Sequence, residues 1–211
     1  MAALIIGNGS DIEKVCFENI DIDYVICADG GLEKAGRLGI KPDLILGDFD
    51  SVDSHILEKY MQLKIETVTF PSEKDYTDME LAVEYAVQKG FKHVVMIGAS
   101  GTRLDHTLAN IQLLEKYHFM GIDLEIIDNN NHIKIISDNT DIKIKYKKDY
   151  FVSLVPVTET IEGLTLEGFK YPLDNVIVKR GTAFLISNEI TQKTGRIILK
   201  KGTALVFVSK D

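Results

Sequence analysis

A chain of 211 residues, 45% hydrophobic and 27% charged, is long enough to bury a full core as one large domain or two small ones. Its formal net charge of −8 excludes a general electrostatic grip on nucleic acid, which needs a basic face. It does not exclude a nucleotide whose phosphates are neutralised by a cation. Two cysteines, Cys16 and Cys27, lie in apolar contexts without metal-ligand spacing and read as buried free thiols of a reduced, cytoplasmic protein.

Met1-Ala2-Ala3-Leu4-Ile5-Ile6 is apolar but short and lacks a basic leader, so it reads as a first strand and not a signal peptide. Strand candidates follow at Tyr24–Ala28, Leu44–Leu46, Glu66–Phe70, His93–Ile97 and Leu124–Ile127. They are short apolar or β-branched runs, as expected of strands covered on both faces. Helical spacing of Leu81, Ala82, Tyr85 and Ala86 predicts a helix over Asp78–Lys89, with Thr77 as N-cap and Glu80 completing a capping box. A second helix is predicted over Leu104–Tyr117, with Leu108, Ile111 and Leu114 on one face.

Past Asn129-Asn130-Asn131 the pattern turns to short β-rich runs. They are Ile133–Ile136, Ile142–Tyr146, Tyr150–Val155, Gly163–Leu166, Asn175–Val178, Ala183–Ile186, Arg196–Leu199 and Ala204–Val208. The expectation is an α/β chain: a mostly parallel sheet flanked by helices over 1–129, then a smaller, antiparallel, sandwich-like all-β domain over 132–211. No apolar run approaches a membrane span.

Chemistry concentrates where strands of the first part end. Asp48 and Asp50 flank Phe49 just past Leu44–Leu46, where an open α/β sheet places its ligands. Two carboxylates one residue apart suit Mg²⁺, which takes oxygen ligands from one or two carboxylates and from substrate phosphates. A solvated acidic turn is the better account of Asp-x-Asp alone; its company favours the metal. Asp29-Gly30-Gly31 follows a strand and opens a helix, so its backbone can approach phosphate. Gly31 to Arg37 has P-loop glycine spacing but no Lys-Ser/Thr, which excludes a P-loop. Gly7-Asn8-Gly9-Ser10 reads as a plain turn.

In Lys74-Asp75-Tyr76-Thr77-Asp78, the acidic residues either simply favour the helix N-terminus, or Asp75 or Asp78 joins the metal carboxylates while Lys74 meets phosphate as a point charge. Gly98-Ala99-Ser100-Gly101-Thr102-Arg103 can wrap a phosphate or base, with Arg103 forking onto phosphate. Asp105 orients Arg103, binds metal or accepts a proton. His106 serves packing or chemistry, and Asn110 lies one helical turn further on. These residues alone describe a Mg²⁺-dependent enzyme acting on nucleotide phosphates.

Taken in order, Asp29-Gly30-Gly31, Pro42–Ser51, Lys74–Glu80 and Gly98–Asn110, with Ser187-Asn188-Glu189 in the β-rich part, closely resemble the thiamine pyrophosphokinase family over essentially the whole chain. The resemblance implies transfer of a pyrophosphoryl group from ATP to the hydroxyl of thiamine, Mg²⁺ as cofactor, and a homodimer with active sites between subunits; charge and hydropathy add the expectation of no nucleic-acid or membrane partner. It implies Asp48, Asp50 and Asp78 as metal and phosphate organisers, with Arg103 and Asp105 beside them in catalysis. The nucleotide site would take Asp29, Gly30, Gly31, Lys74, Asp75, Thr77, Gly101, Arg103, Asp105, His106 and Asn110. Ser187 and Asn188 would hold thiamine across the dimer interface. Two departures stand out: Thr102 replaces a glycine common in the family, and the chain has no Trp to stack on thiamine, leaving Phe184 as a guess.

Overall fold

The computed structural model describes residues 1–49, 54–70 and 75–211. The chain forms two compact units, Met1–Asn129 and Asn130–Asp211.

In the first unit, strands β1 (Ala2–Ile6), β2 (Ile22–Ala28), β3 (Leu44–Gly47), β4 (Glu66–Thr69), β5 (His93–Ile97) and β6 (Asp123–Ile127) alternate with helices. The helices are α1 (Gly31–Leu38), α2 (Ser54–Gln62), α3 (Asp78–Gln88) and α4 (Leu104–His118). Every strand pairing in this unit among the described residues is parallel, in the order β4-β3-β2-β1-β5-β6. The connections run outward in opposite directions from β1 and β5, so the topological switch point lies between those strands.

Burial on both faces follows from the strand period of two. Leu4 and Ile6 join one apolar cluster with Val25, Cys27, Ile45, Val95 and Ile97, covered by Leu32 and Ala35 of α1 and Tyr60 of α2. Ala3 and Ile5, equally buried, point to the opposite face, where α3 packs on β1 and β2. Cys27 is a free, fully buried thiol whose burial pushes its pKa upward, whereas Cys16 is only half-buried.

Two helix expectations need correction. Thr77 is the N-cap of α3, its Oγ1 accepting from the Glu80 amide at 3.2 Å. The Glu80 carboxylate, however, pairs with Lys116 on α4 at 2.8 Å, tying the two helices together. On α4 the buried face is Asn110, Leu113, Leu114 and Tyr117, and Leu108 is 58% exposed. The polar Asn110 takes a core position because its side chain satisfies backbone, as described below.

The second unit contains β7 (Asn131–Ile136), β8 (Thr140–Lys145), β9 (Phe151–Pro156), β10 (Thr160–Glu167), β11 (Leu173–Lys179), β12 (Thr194–Leu199) and β13 (Ala204–Ser209). Strand β13 pairs antiparallel with β7 and β9, and a second antiparallel sheet runs β11-β10-β12-β8. Val152, Leu154 and Val206 of the first set share one buried cluster with Ile161, Leu164, Leu166, Ile197 and Leu199 of the second, so two sheet faces make this core. The strand expected over Ala183–Ile186 is absent. That segment is a turn-rich loop with Phe184 64% and Ile186 47% exposed. Only Leu185 faces the core, and its carbonyl accepts from Leu154 N at 3.1 Å without a ladder forming.

Candidate active site

A cavity of about 590 Å³ opens at the C-terminal ends of the parallel strands, at the β1/β5 switch point where open α/β sheets bind ligands. Its walls come from the turns after β1, β2, β3 and β5 and from the starts of α3 and α4.

The turns after β1 and β5 interlock through backbone. Gly7 N donates to Ile97 O at 2.8 Å, Gly9 N to Gly98 O at 2.8 Å and Ser10 N to Ser100 O at 2.6 Å. A Cβ on Gly9 would strike the carbonyls of Gly98 and Ser100, so only glycine permits this approach. These amides are therefore used within the protein. The same holds for Gly101 N, which donates to Thr107 Oγ1 at 3.0 Å. The β5 turn is held from below by Asn110, whose buried Nδ2 donates to Ala99 O at 2.7 Å. Ser100 Oγ donates to Asp128 Oδ2 at 2.7 Å.

Of the residues singled out from sequence, Asp29, Asp48, Thr77, Asp78, Gly101, Arg103, His106 and Asn110 line this one cavity. Two of the turns carry them on unusual backbone. Asp29 sits at φ +45° and Phe49, immediately after Asp48, at φ +61°. A bulky residue in the left-handed region is uncommon and concentrates at functional sites. Phe49 packs against the α1-side core, which holds the turn that presents Asp48.

Other expected residues stand elsewhere. Gly30 and Gly31 do not line the cavity: a Cβ on Gly30 would meet the Asn8 side chain and one on Gly31 the Ile6 carbonyl. Their smallness serves the packing of α1 onto the end of β1. Asp75 is exposed outside the lining, and so is Asp105, which binds Arg103 in a fork, Nε to Oδ1 at 3.3 Å and NH2 to Oδ2 at 2.6 Å. Arg103 holds the Asp105 carboxyl below the usual carboxylate range. Asp50 and Lys74 lie outside the described residues.

The sequence reading missed Gly7, Asn8 and Gly9, which also line the cavity. The signal was present: a glycine-spaced turn after an apolar strand, the same pattern credited at Gly98–Gly101.

In the second unit, Ser187 stands at φ +59°, its amide donating to Ser153 Oγ at 2.9 Å. Asn188 is buried and its amide group is fully engaged with backbone. Nδ2 donates to Tyr171 O at 2.8 Å, and Oδ1 accepts from Tyr171 N at 3.1 Å and Glu189 N at 2.9 Å. Asn188 thus shapes the loop that presents Ser187.

For a cation, the cavity offers the carboxylates of Asp29, Asp48 and Asp78 with one imidazole, His106, and no thiolate. This hard-oxygen set fits Mg²⁺. A separate group, His93, Asp123 and Glu125, has ligand atoms within 4.8 Å of one another. It lies at the opposite, N-terminal ends of β5 and β6, with buried Glu125 bonded to His93. No helix among the described residues is long and apolar enough to cross a membrane.

Comparison with known proteins agrees with this layout. Residues 19–126 match the family model "Thiamin pyrophosphokinase, catalytic domain", and residues 139–203 match "Thiamin pyrophosphokinase, vitamin B1 binding domain". The chain is 36% identical over 174 residues to thiamine pyrophosphokinase of Bacillus subtilis, covering 82% of this chain and 81% of that one. It is 26% identical over 196 residues to thiamine pyrophosphokinase 1 of rice (Oryza sativa subsp. japonica), covering 82% and 74%. The crystal structure of the Bacillus subtilis enzyme superposes with a TM-score of 0.92 at 31% identity, over 100% of both chains. That of Candida albicans thiamin pyrophosphokinase shares the fold, with a TM-score of 0.84 at 19% identity over 100% of this chain and 89% of that one. The chain belongs to the thiamin pyrophosphokinase family.

Proposed function

We infer that this enzyme transfers the pyrophosphoryl group of ATP to the hydroxyl of thiamine, giving thiamine diphosphate and AMP. Family membership supports the reaction. The observation that ties it to this chain is the convergence of Asp29, Asp48, Asp78 and Arg103 on one cavity at the sheet's switch point.

The hydroxyethyl oxygen of thiamine attacks the β-phosphorus in line. A new P–O bond forms there as the bond from that phosphorus to the α–β bridging oxygen breaks. AMP leaves with the electron pair, and the hydroxyl proton is lost to solvent or to a carboxylate, Asp78 or Asp50. Such transfer depends on positioning and charge neutralisation more than on covalent help. Arg103, oriented by Asp105, neutralises phosphate oxygens at the mouth of α4. Asp48 and Asp78, with Asp50 by family resemblance, would hold Mg²⁺. Bound there, Mg²⁺ supplies charge neutralisation on phosphate oxygens. Ser187 would contact thiamine, and Asn188 would keep Ser187 in place. A cytoplasmic homodimer completes the reading, and sedimentation of the purified chain tests the dimer.

The test is AMP release from ATP and Mg²⁺ with and without thiamine, with the thiamine product identified by mass. The reading predicts thiamine-dependent AMP and a gain of two phosphoryl groups on thiamine. AMP without thiamine marks a phosphohydrolase, and ligand binding without AMP marks a sensor; either result overturns it.

A further inference from the structure

Lys34, on α1, is 2% exposed, which is rare for an ammonium group unless it is fully partnered. Its Nζ lies 2.8 Å from Gly9 O, 2.7 Å from Ser10 O and 3.2 Å from Asp11 Oδ1. An ammonium has three protons, and three acceptors match them. Lys34 therefore has no donor left for a phosphate. Its stem runs behind Gly98, where Cε lies 3.0 Å from the place a Cβ would occupy.

We propose that Lys34 is a positioning residue for nucleotide binding: its buried ammonium ties down the turn after β1 while its stem packs behind the turn after β5, and together they fix one wall of the nucleotide cavity. This rests on the reading of that cavity as the nucleotide site. The turn it clamps contributes Gly7, Asn8 and Gly9 to the lining, and its amides are the ones that interlock with Gly98 and Ser100. Three ties from one cation to consecutive residues of a glycine turn remove the freedom that glycine otherwise gives it. Neighbouring Arg37 donates to Asp11 Oδ1 at 2.6 Å, the exposed end of the same arrangement, and reaches neither turn carbonyl.

The experiment measures binding of Mg²⁺ with α,β-methylene-ATP, whose α–β bridge resists cleavage, in the absence of thiamine. The parent, K34M, K34Q and R37A are compared, with thermal midpoints recorded alongside. K34M keeps the stem and loses the ammonium, and its dissociation constant is expected to rise at least about tenfold. K34Q is expected to fall between K34M and the parent, with at least about a threefold loss, and it carries the test if K34M does not fold. R37A stays within about twofold. In turnover, K34M raises KM for ATP while KM for thiamine stays within about twofold, a split that general loosening of the fold does not produce. Affinity for the analogue within about twofold of the parent in the folded variant overturns the proposal, whatever the thermal midpoint does. A parent that does not bind the analogue at all instead defeats the nucleotide reading of the cavity.

Discussion

The strand-end cavity of the first unit and the loop at 181–190 in the second place their functional residues by different means. In the cavity, Asp29, Asp48 and Gly101 follow buried parallel strands, and the turns after β1 and β5 are locked together by backbone bonds. In the loop, no helix or strand is present among residues 181–187; Leu185 and Ile190 seat it on the core, and the buried Asn188 amide ties it to the backbone of Tyr171 and Glu189. A charge carried at a strand end can be removed while the sheet still holds the turn beneath it. The Asn188 amide cannot be removed without loosening the loop that it ties. Ligand chemistry and loop stability are thus separable in the first unit and coupled in the second.

The sharpest way to break this contrast is Asp48→Asn. It removes a charge from the cavity while the β3 turn remains packed through Phe49, so turnover falls about 100-fold or more, about 3 kcal/mol of transition-state stabilisation, with little change in thermal midpoint. Steady-state kinetics and a melting curve on the same preparation check both halves. Next, Asn188→Ala leaves the partly buried amides of Tyr171 and Glu189 without their acceptor, destabilising the chain by about 1 kcal/mol and raising KM for thiamine. Denaturant unfolding with thiamine titration reads both; a change in only one would uncouple what the loop is argued to couple. Thr77→Ala deletes the α3 cap, a loss of about 1 kcal/mol, visible as a fall of about 2–4 °C in the thermal midpoint.

The smallest effect concerns pH. Arg103 depresses the Asp105 carboxyl, so the pair is complete above the ordinary carboxylate range and is lost only as pH falls through that group's lowered pKa. The ratio of kcat/KM between the parent and Asp105→Asn is therefore flat from about pH 6 to 9. A ratio that changes within that window would show that Asp105 takes part in proton transfer.

The parallel sheet was legible because strands buried on both faces must be continuously apolar, and Leu44–Leu46 and, after His93, the run Val94-Val95-Met96-Ile97 are. Site residues directly after such strands were legible for the same reason. Ala183–Ile186 misled because exposed Phe184 and Ile186 imitate the period of a half-buried strand. Leu108 misled because helical spacing does not say which stripe faces the sheet, and the polar Asn110 took the inward position by bonding Ala99 O. Lys34 drew no notice, since a lysine on an amphipathic helix reads as solvent-facing until the turn carbonyls it holds are seen. The capping box was half right: propensity placed Thr77, but a tertiary partner, Lys116, took the Glu80 carboxylate.

The measurement that tests the central claim most directly follows isotope from ATP labelled at the β- or the γ-phosphorus into the thiamine product. Pyrophosphoryl transfer places both labels in thiamine diphosphate, in equal amounts, and leaves unlabelled AMP. Transfer of the γ label alone with ADP as co-product, or AMP formed without thiamine, would contradict it.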